Sequence, residues 1–587
     1  MAKILYPGFR FFFKESKFII IFFLGLSVGV AVFTQIFETN TVTRKETQEG
    51  SREVSRALCK ETQSESASRS NCSNTCKADT RAQNVNPVRF PYNEYTRFGL
   101  EWTGIVDELE WSSESSHPTG NDNPKPFSIR VGSAGLMSTE ESRVYLYEDK
   151  TNYEMGDFVH VVIEGLDKYG GKRRKGGDFF EPVMFNEKLQ KSTAGRVVDY
   201  GNGTYSVYFY AAWQGTAAIN ITLAFTREAI LFLDNEIRYK EPPGWIGTFV
   251  QGNTSESSEC YVISEGSWED MCEFTNHNAL GGTAFVCEKP KSLPCNTLYS
   301  VLHSIKKVVN VTEQRIADKE LLFTKGHYRG LLSATPLKVQ ISAGSTDTRK
   351  LPTCGPDLKV PMTDGYWSDN LTFVPMMCRG QQWPQNKREA CLKNKYIRLS
   401  GGSTMWHVNL AFSRLLIDKS LVNRTYNFVA LRIGPFEQPA SSLVFESDYM
   451  DGITMEECKT GTVVFIVNFS FHFVTWSKRS YLSRIYNAKL AAERLLKRCP
   501  NSMVLIRLAN PRENTMPSQC VHSGDWILYD MNRMIRRVFG GIGVRFIDVW
   551  DMVLSHPDPN NVHMGSHVID QQVQMMLNYI CPELVEM

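Results

Sequence analysis

Residues 18–37 read FIIIFFLGLSVGVAVFTQIF, without one charged side chain. Twenty helical residues at about 1.5 Å each span about 30 Å, the hydrocarbon thickness of a bilayer. Lys3, Arg10, Lys14 and Lys17 precede the run, opposed only by Glu15, and the far flank is mixed in sign. The positive-inside bias predicts a single-pass type II signal anchor at 18–37, with a cytosolic tail at 1–17 and the remaining chain across the membrane, in the Golgi or at the cell surface. The alternative is a cleaved signal peptide and a secreted product, but the apolar run is long for one and no clear Ala-x-Ala site follows.

All 14 cysteines, from Cys59 to Cys581, lie beyond that run. An even number on one side of a membrane predicts disulfides in an oxidising compartment, with the pairing left open. Cys72 and Cys76 lack a second ligand pair, so no metal site is expected. Sequons at Asn71, Asn202, Asn220, Asn253, Asn310, Asn370, Asn423 and Asn468 predict a glycoprotein on the same topology. A net charge of +2 gives no argument for nucleic acid, and the run Lys172–Lys175, flanked by glycines, reads as a solvated hairpin loop.

Residues 38–88 are polar and poor in apolar side chains, which predicts a flexible stem. Short period-two runs follow, among them Arg143–Tyr147, Asp157–Ile163, Tyr205–Tyr210 and Ala218–Leu223, separated by turns such as Gly201–Thr204. That spacing predicts an antiparallel β-sandwich region over 89–295, with a connector at 296–349. Residues 350–587 change character. Tyr396–Ser400, Thr462–Val467, Met503–Leu508 and Val544–Asp548 are continuous apolar strands, alternating with helices at 480–498 and 526–539. This pattern predicts a doubly wound parallel sheet, with chemistry at the carboxyl ends of its strands.

Ser403 follows such a strand through Gly401 and Gly402, which lets the chain turn and present its hydroxyl at the strand end. It is the candidate nucleophile, and a helix starting there would aim N–H groups at an oxyanion. The domain offers six histidines as base: His407, His472, His522, His556, His563 and His567. His563 is best placed, in the loop after the last strand. His407 would share a helix face with Ser403. His472, between Phe471 and Phe473, reads as a core histidine. Asp548 and Asp551 are expected to cap or pair locally, although either could orient a histidine.

The segment from Gly365-Tyr366-Trp367 through Cys378 and Cys391 to RLSGGSTMWH resembles the start of a PC-esterase domain, of the SGNH-hydrolase superfamily. YEMGDFVHVVIEGLDKYGGKRRKGGD with VVDYGNGTYSVYFYAAWQG resembles a filamin-type immunoglobulin-like repeat. Together with the closing run FIDVWDMVLSHPDPNNVHMGSHVIDQQVQMMLNYIC, the chain resembles the neurexophilin and PC-esterase (NXPE) family. The resemblance implies a membrane anchor, an immunoglobulin/filamin-like sandwich and an SGNH-like α/β sheet. It implies Ser403 as nucleophile and His563 as base. Gly402 stands where the family has Asp, Asn560 where it has the Asp of Asp-x-x-His, and Ser470 where it has Gly; these three would form the oxyanion and supporting shell. Asp558 is the carboxylate expected to substitute for Asn560 behind the base. The implied activity is glycan O-acyl, particularly acetyl, transfer or hydrolysis, with acetyl-CoA as acyl donor by analogy. The alternative is a catalytically degraded, neurexophilin-like binding or adhesion glycoprotein with a cell-surface protein ligand.

Overall fold

The computed structural model describes residues 135–584 except 239–242, 264–265, 304–318, 325, 345–350, 356–364, 369–370, 377, 381–382, 416–422, 429–444, 513–520, 522 and 559–561. The expected tail, anchor and stem, together with Asn71, Asn310, Asn370, His522 and Asn560, lie outside the described residues.

The period-two runs form strands. In chain order these are β1 (Arg143–Leu146), β2 (Asn152–Glu154), β3 (Phe158–Glu164), β4 (Phe179–Asn186), β5 (Lys191–Ala194), β6 (Arg196–Asp199), β7 (Thr204–Tyr210) and β8 (Gly215–Phe225). One sheet has the order β1-β3-β7-β6. Val159, Val161, Ile163, Val207 and Phe209 from that sheet share a core with Phe180, Met184, Ile219, Ile221 and Leu223 from β4 and β8. Alternation has put one side of each strand into a common apolar layer, each large side chain contributing about 1.5–3 kcal/mol by burial.

Five further strands form an antiparallel sheet: β9 (Pro243–Gln251), β10 (Thr254–Ile263), β11 (Met271–Glu273), β12 (Ala284–Glu288) and β13 (Leu298–His303), ordered β11-β12-β10-β9-β13. Cys260–Cys287 joins directly opposed residues of β10 and β12, and Cys272–Cys295 ties β11 to the turn before β13.

Strand pairing crosses the boundaries expected at 295 and 349. β13 lies past the first of them, and β14 (Tyr328–Leu331) and β15 (Leu337–Ser342), from the presumed connector, both pair with β8. β16 (Gly365–Trp367) and β17 (Phe373–Pro375), from the presumed α/β domain, extend the same sheet through β5, giving β17-β16-β5-β4-β8-β15-β2. A sheet edge satisfies its N–H and C=O groups with whatever strand the chain brings alongside, and sequence distance does not limit that choice.

The C-terminal sheet is parallel throughout: β18 (Lys395–Gly401), β19 (Asn423–Phe428), β20 (Thr462–Val467), β21 (Met503–Arg507) and β22 (Arg545–Ile547), ordered β19-β18-β20-β21-β22. In β20, Val463, Phe465 and Val467 join one core, while Val464 and Ile466 join another. Both faces are dry, which is why TVVFIV is apolar without interruption. The helices α1 (Ser403–Arg414) and α5 (Ser566–Ile580) supply Met405, Val408, Phe412, Val568 and Val573 to one face. The helices α2 (Lys478–Arg498) and α3 (Asp525–Phe539) supply Tyr481, Ile485, Ile527 and Met531 to the other. Ser477 caps α2 by accepting from Ser480 N–H. A short helix, α4 (Trp550–Leu554), leads out of β22.

Among the described residues there are five disulfides: the two above, Cys354–Cys378, Cys391–Cys581 and Cys458–Cys499. Among the described residues no helix is long and apolar enough to cross a membrane.

Candidate active site

The parallel order reverses between β18 and β20: the chain leaves β18 toward β19, then crosses back to β20 on the other side. Such a switch point opens a crevice at the carboxyl ends of the two strands. Ser403 stands there. Gly401 ends β18 at φ +148°, a conformation open to glycine, and a Cβ on it would lie 2.6 Å from Met405 Cγ. Gly402 is extended and caps α1, and Ser403 is the helix's first residue. The serine therefore sits at the positive end of a twelve-residue helix.

His563 Nε2 lies 2.7 Å from Ser403 Oγ, although 160 residues separate them. The His563 ring is exposed and stacks on His407, with centroids 4.8 Å apart and planes 16° from parallel. Partial burial and then the Arg512 guanidinium push the His563 imidazole below its ordinary value. Burial, His563, Arg414 and Arg507 do the same to His407. A neutral imidazole facing a hydroxyl is the form that accepts a proton.

Of the expected supporting shell, the Asp558 carboxylate lies 3.9 Å from His556 Nδ1 and its side chain is 71% exposed. Asp548 accepts from Trp550 N–H and pairs with Arg536, as a local cap, whereas Asp551 pairs at 3.0 Å with Arg196 of β6, far away in sequence. A Cβ on Gly402 would meet the His472 ring at 2.6 Å, so the half-buried His472 occupies the space that an Asp at position 402 would need. Ser470 turns both its N–H and its hydroxyl onto Asn468 Oδ1, at 3.2 and 2.6 Å. In this arrangement it orients Asn468.

Asn468, one of the expected glycan acceptors, is buried. It is 5% exposed, its Nδ2 donates to Arg507 C=O at 2.7 Å, and its backbone N–H donates to Ser400 C=O. The nitrogen that a glycan would modify is inside the fold. Asn202 and Asn253 are exposed, Asn220 is half-buried on β8, and Asn423 begins β19.

Sequence reasoning passed over Arg507, at the carboxyl end of β21. Its buried guanidinium donates to Gln572 Oε1, Leu508 C=O and Asn510 Oδ1 at 3.1, 3.1 and 2.9 Å. All three acceptors are neutral, and burial brings the group down to about 10. It also passed over the contact between His556 Nε2 and His567 Nε2, at 2.7 Å. With Asp558 these two offer ligand atoms within 4.8 Å of one another. Asp558 N–H, however, already donates to His556 Nδ1 at 3.1 Å. That fixes the neutral tautomer with the proton on Nε2, donated to His567, so the group is a completed hydrogen-bond chain rather than a cation cage.

A family model described as "NXPE family member 4-like, C-terminal domain" matches residues 429–581, and one described as "Neurexophilin" matches residues 144–313. This chain belongs to the NXPE family. The C-terminal match includes His563 and begins after Ser403. Among solved structures, this NXPE chain is similar to the Lin-41 filamin domain, with 10% identity, 15% of this chain and 80% of that chain covered, and a TM-score of 0.13. It is also similar to a carbohydrate esterase family 2 enzyme with a carbohydrate-binding domain from Corynascus thermopiles (Myceliophthora fergusii), at 8% identity, 68% and 97% coverage and a TM-score of 0.23. A family two carbohydrate esterase from Clostridium thermocellum matches at 10% identity, 77% and 99% coverage and a TM-score of 0.20. At these TM-scores the structural likenesses carry no argument.

Proposed function

We propose that this NXPE protein is a membrane-anchored lumenal glycoprotein whose SGNH-like C-terminal domain moves an acyl group, acetyl in the first instance, to or from a glycan hydroxyl through an acyl-serine at Ser403. The single observation that carries this is the 2.7 Å approach of His563 Nε2 to Ser403 Oγ at the mouth of a parallel-sheet switch point. In the first half-reaction His563 takes the Ser403 proton as Oγ bonds to the acyl carbon. The bond to the donor's leaving group then breaks, and His563 returns the proton to that group. In the second, a sugar hydroxyl or water attacks the acyl-serine, gives its proton to His563, and Ser403 leaves reprotonated. The amino end of α1 faces the carbonyl oxygen as it gains charge. Acetyl-CoA is the proposed donor when the acceptor is a sugar. Five disulfides and the exposed sequons Asn202 and Asn253 support a lumenal placement.

The test is Ser403→Ala, assayed for acetyl release from an aryl ester and for acetyl transfer to glycans. Loss of about 10³-fold or more is expected, with secretion and folding unchanged. Activity that survives the substitution overturns the acyl-serine.

A further inference from the structure

His563 lies between the end of α4 at Leu554 and the start of α5 at Ser566, outside both helices. A side chain carried this way needs its mount fixed at both ends if its nitrogen is to stay within hydrogen-bond reach of a hydroxyl. We infer that His556 and His567 are positioning residues, whose mutual hydrogen bond closes the base of the segment that carries His563, and that the β-sandwich sets the placement of this closure. The inference rests on the reading of His563 as the base.

The geometry is as follows. His556 lies seven positions before His563 and His567 four after it; their Nε2 atoms are 2.7 Å apart across a gap of eleven residues. His556 is 6% exposed, and Asp558 N–H holds its other nitrogen. His567 stands in the first turn of α5, which is anchored through Val568 and Ile569 in the core. The clasp therefore joins a rigid helix to the end of the turn that leaves α4.

That turn is held from the sandwich side. Trp367 of β16 sets its ring edge-on to His556, with centroids 4.7 Å apart, and donates its Nε1–H to Met552 C=O at 2.7 Å. Ser192 of β5 donates to Ser555 C=O, and Arg196 of β6 pairs with Asp551. Three strands that belong to the sandwich thus grip Asp551, Met552 and Ser555, just before His556, and His556 hands that placement to His567. On this view the sandwich is a structural part of the active site.

The test compares His556→Phe, His556→Gln and His567→Ala in the full chain. Gln keeps a donor at the ε position and an acceptor toward Asp558 N–H, whereas Phe keeps the ring's bulk alone. The first measurement is hydrogen–deuterium exchange of peptides spanning residues 562–567. Exchange is expected to rise about tenfold or more in His556→Phe and His567→Ala, and to return near wild type in His556→Gln. The second is kinetics on an aryl acetate, where kcat is expected to fall about 10- to 100-fold in the first two variants with KM little changed, and to recover in the third. Unchanged exchange in His556→Phe, or a His556→Gln variant indistinguishable from it, overturns the clasp. Should the wild-type protein release no acetyl from any ester, the acyl-serine reading fails, yet the exchange experiment still decides the clasp.

Discussion

Ser403 and His563 meet at one hydrogen bond, but they are mounted in opposite ways. Ser403 rides on a strand, a two-glycine turn and a helix that are contiguous in the chain: β18, Gly401-Gly402 and α1. Its position follows once those elements pack. His563 rides between two short-range anchors, and its placement depends on His567 in α5, on His556 against Trp367, and on three strands that begin some two hundred residues or more earlier in sequence. The nucleophile is set by local geometry and the base by long-range contacts. A nucleophile of the first kind is robust to changes elsewhere, whereas a base of the second kind is sensitive to how one domain sits on another.

The largest effect should come from breaking the serine's mount. Gly401→Val places a β-branched side chain at φ +148° with its Cβ 2.6 Å from Met405 Cγ. A destabilisation of about 2–4 kcal/mol is expected from strain and overpacking together, measured by denaturant melts alongside fluorophosphonate labelling of Ser403. Labelling at the wild-type rate in a variant of unchanged stability would break the claim that local geometry sets the nucleophile.

A smaller effect separates the two mounts by pH. The base works when neutral, and partial burial with Arg512 beside it holds the His563 imidazole below the ordinary value of about 6.5. A lowered value keeps the neutral form to lower pH, so the acid limb of kcat/KM is expected below that of an exposed imidazole, with activity lost as pH falls through it. Replacing Arg512 by Met is expected to move the limb upward. A limb that stays in place removes Arg512 from the site.

The smallest effect is expected at Asp558. An orienting carboxylate in a serine–histidine–aspartate site is worth about 10⁴-fold, but the Asp558 side chain is 71% exposed and faces His556. Asp558→Asn is therefore expected to alter kcat by about threefold or less. A loss near the full orienting effect would show that Asp558 turns to His563 during the reaction.

The sequence made four of the five parallel strands legible, because a strand buried on both faces must be apolar without a break, and TVVFIV and MVLIR have that signature, whereas NRTYNF of β19 does not. The turn that presents Ser403 was legible for the same local reason, as a glycine pair between a strand and a helix. The strand β16 was not, since three residues carry no periodicity; only its pairing with β5 makes it part of the sandwich. Nor did any periodic signal mark His556 and His567, which meet because Met552 and Val553 of α4 and Val568 and Ile569 of α5 join the same core. Asn468 shows the converse failure, a sequon whose three letters are intact while its amide is spent on Arg507.

From the amino-acid order alone came the elements whose stability is decided by neighbours a few residues away: strand burial, helix period, the glycine turn, and the serine placed on it. The tertiary structure alone decided how closely His563 approaches that serine, where Asp558 points, and that the sandwich grips the turn leading to the base. Those are contacts across gaps of eleven to several hundred residues, and no local pattern encodes them, because the free energy that fixes them is gained only when distant surfaces close over one another.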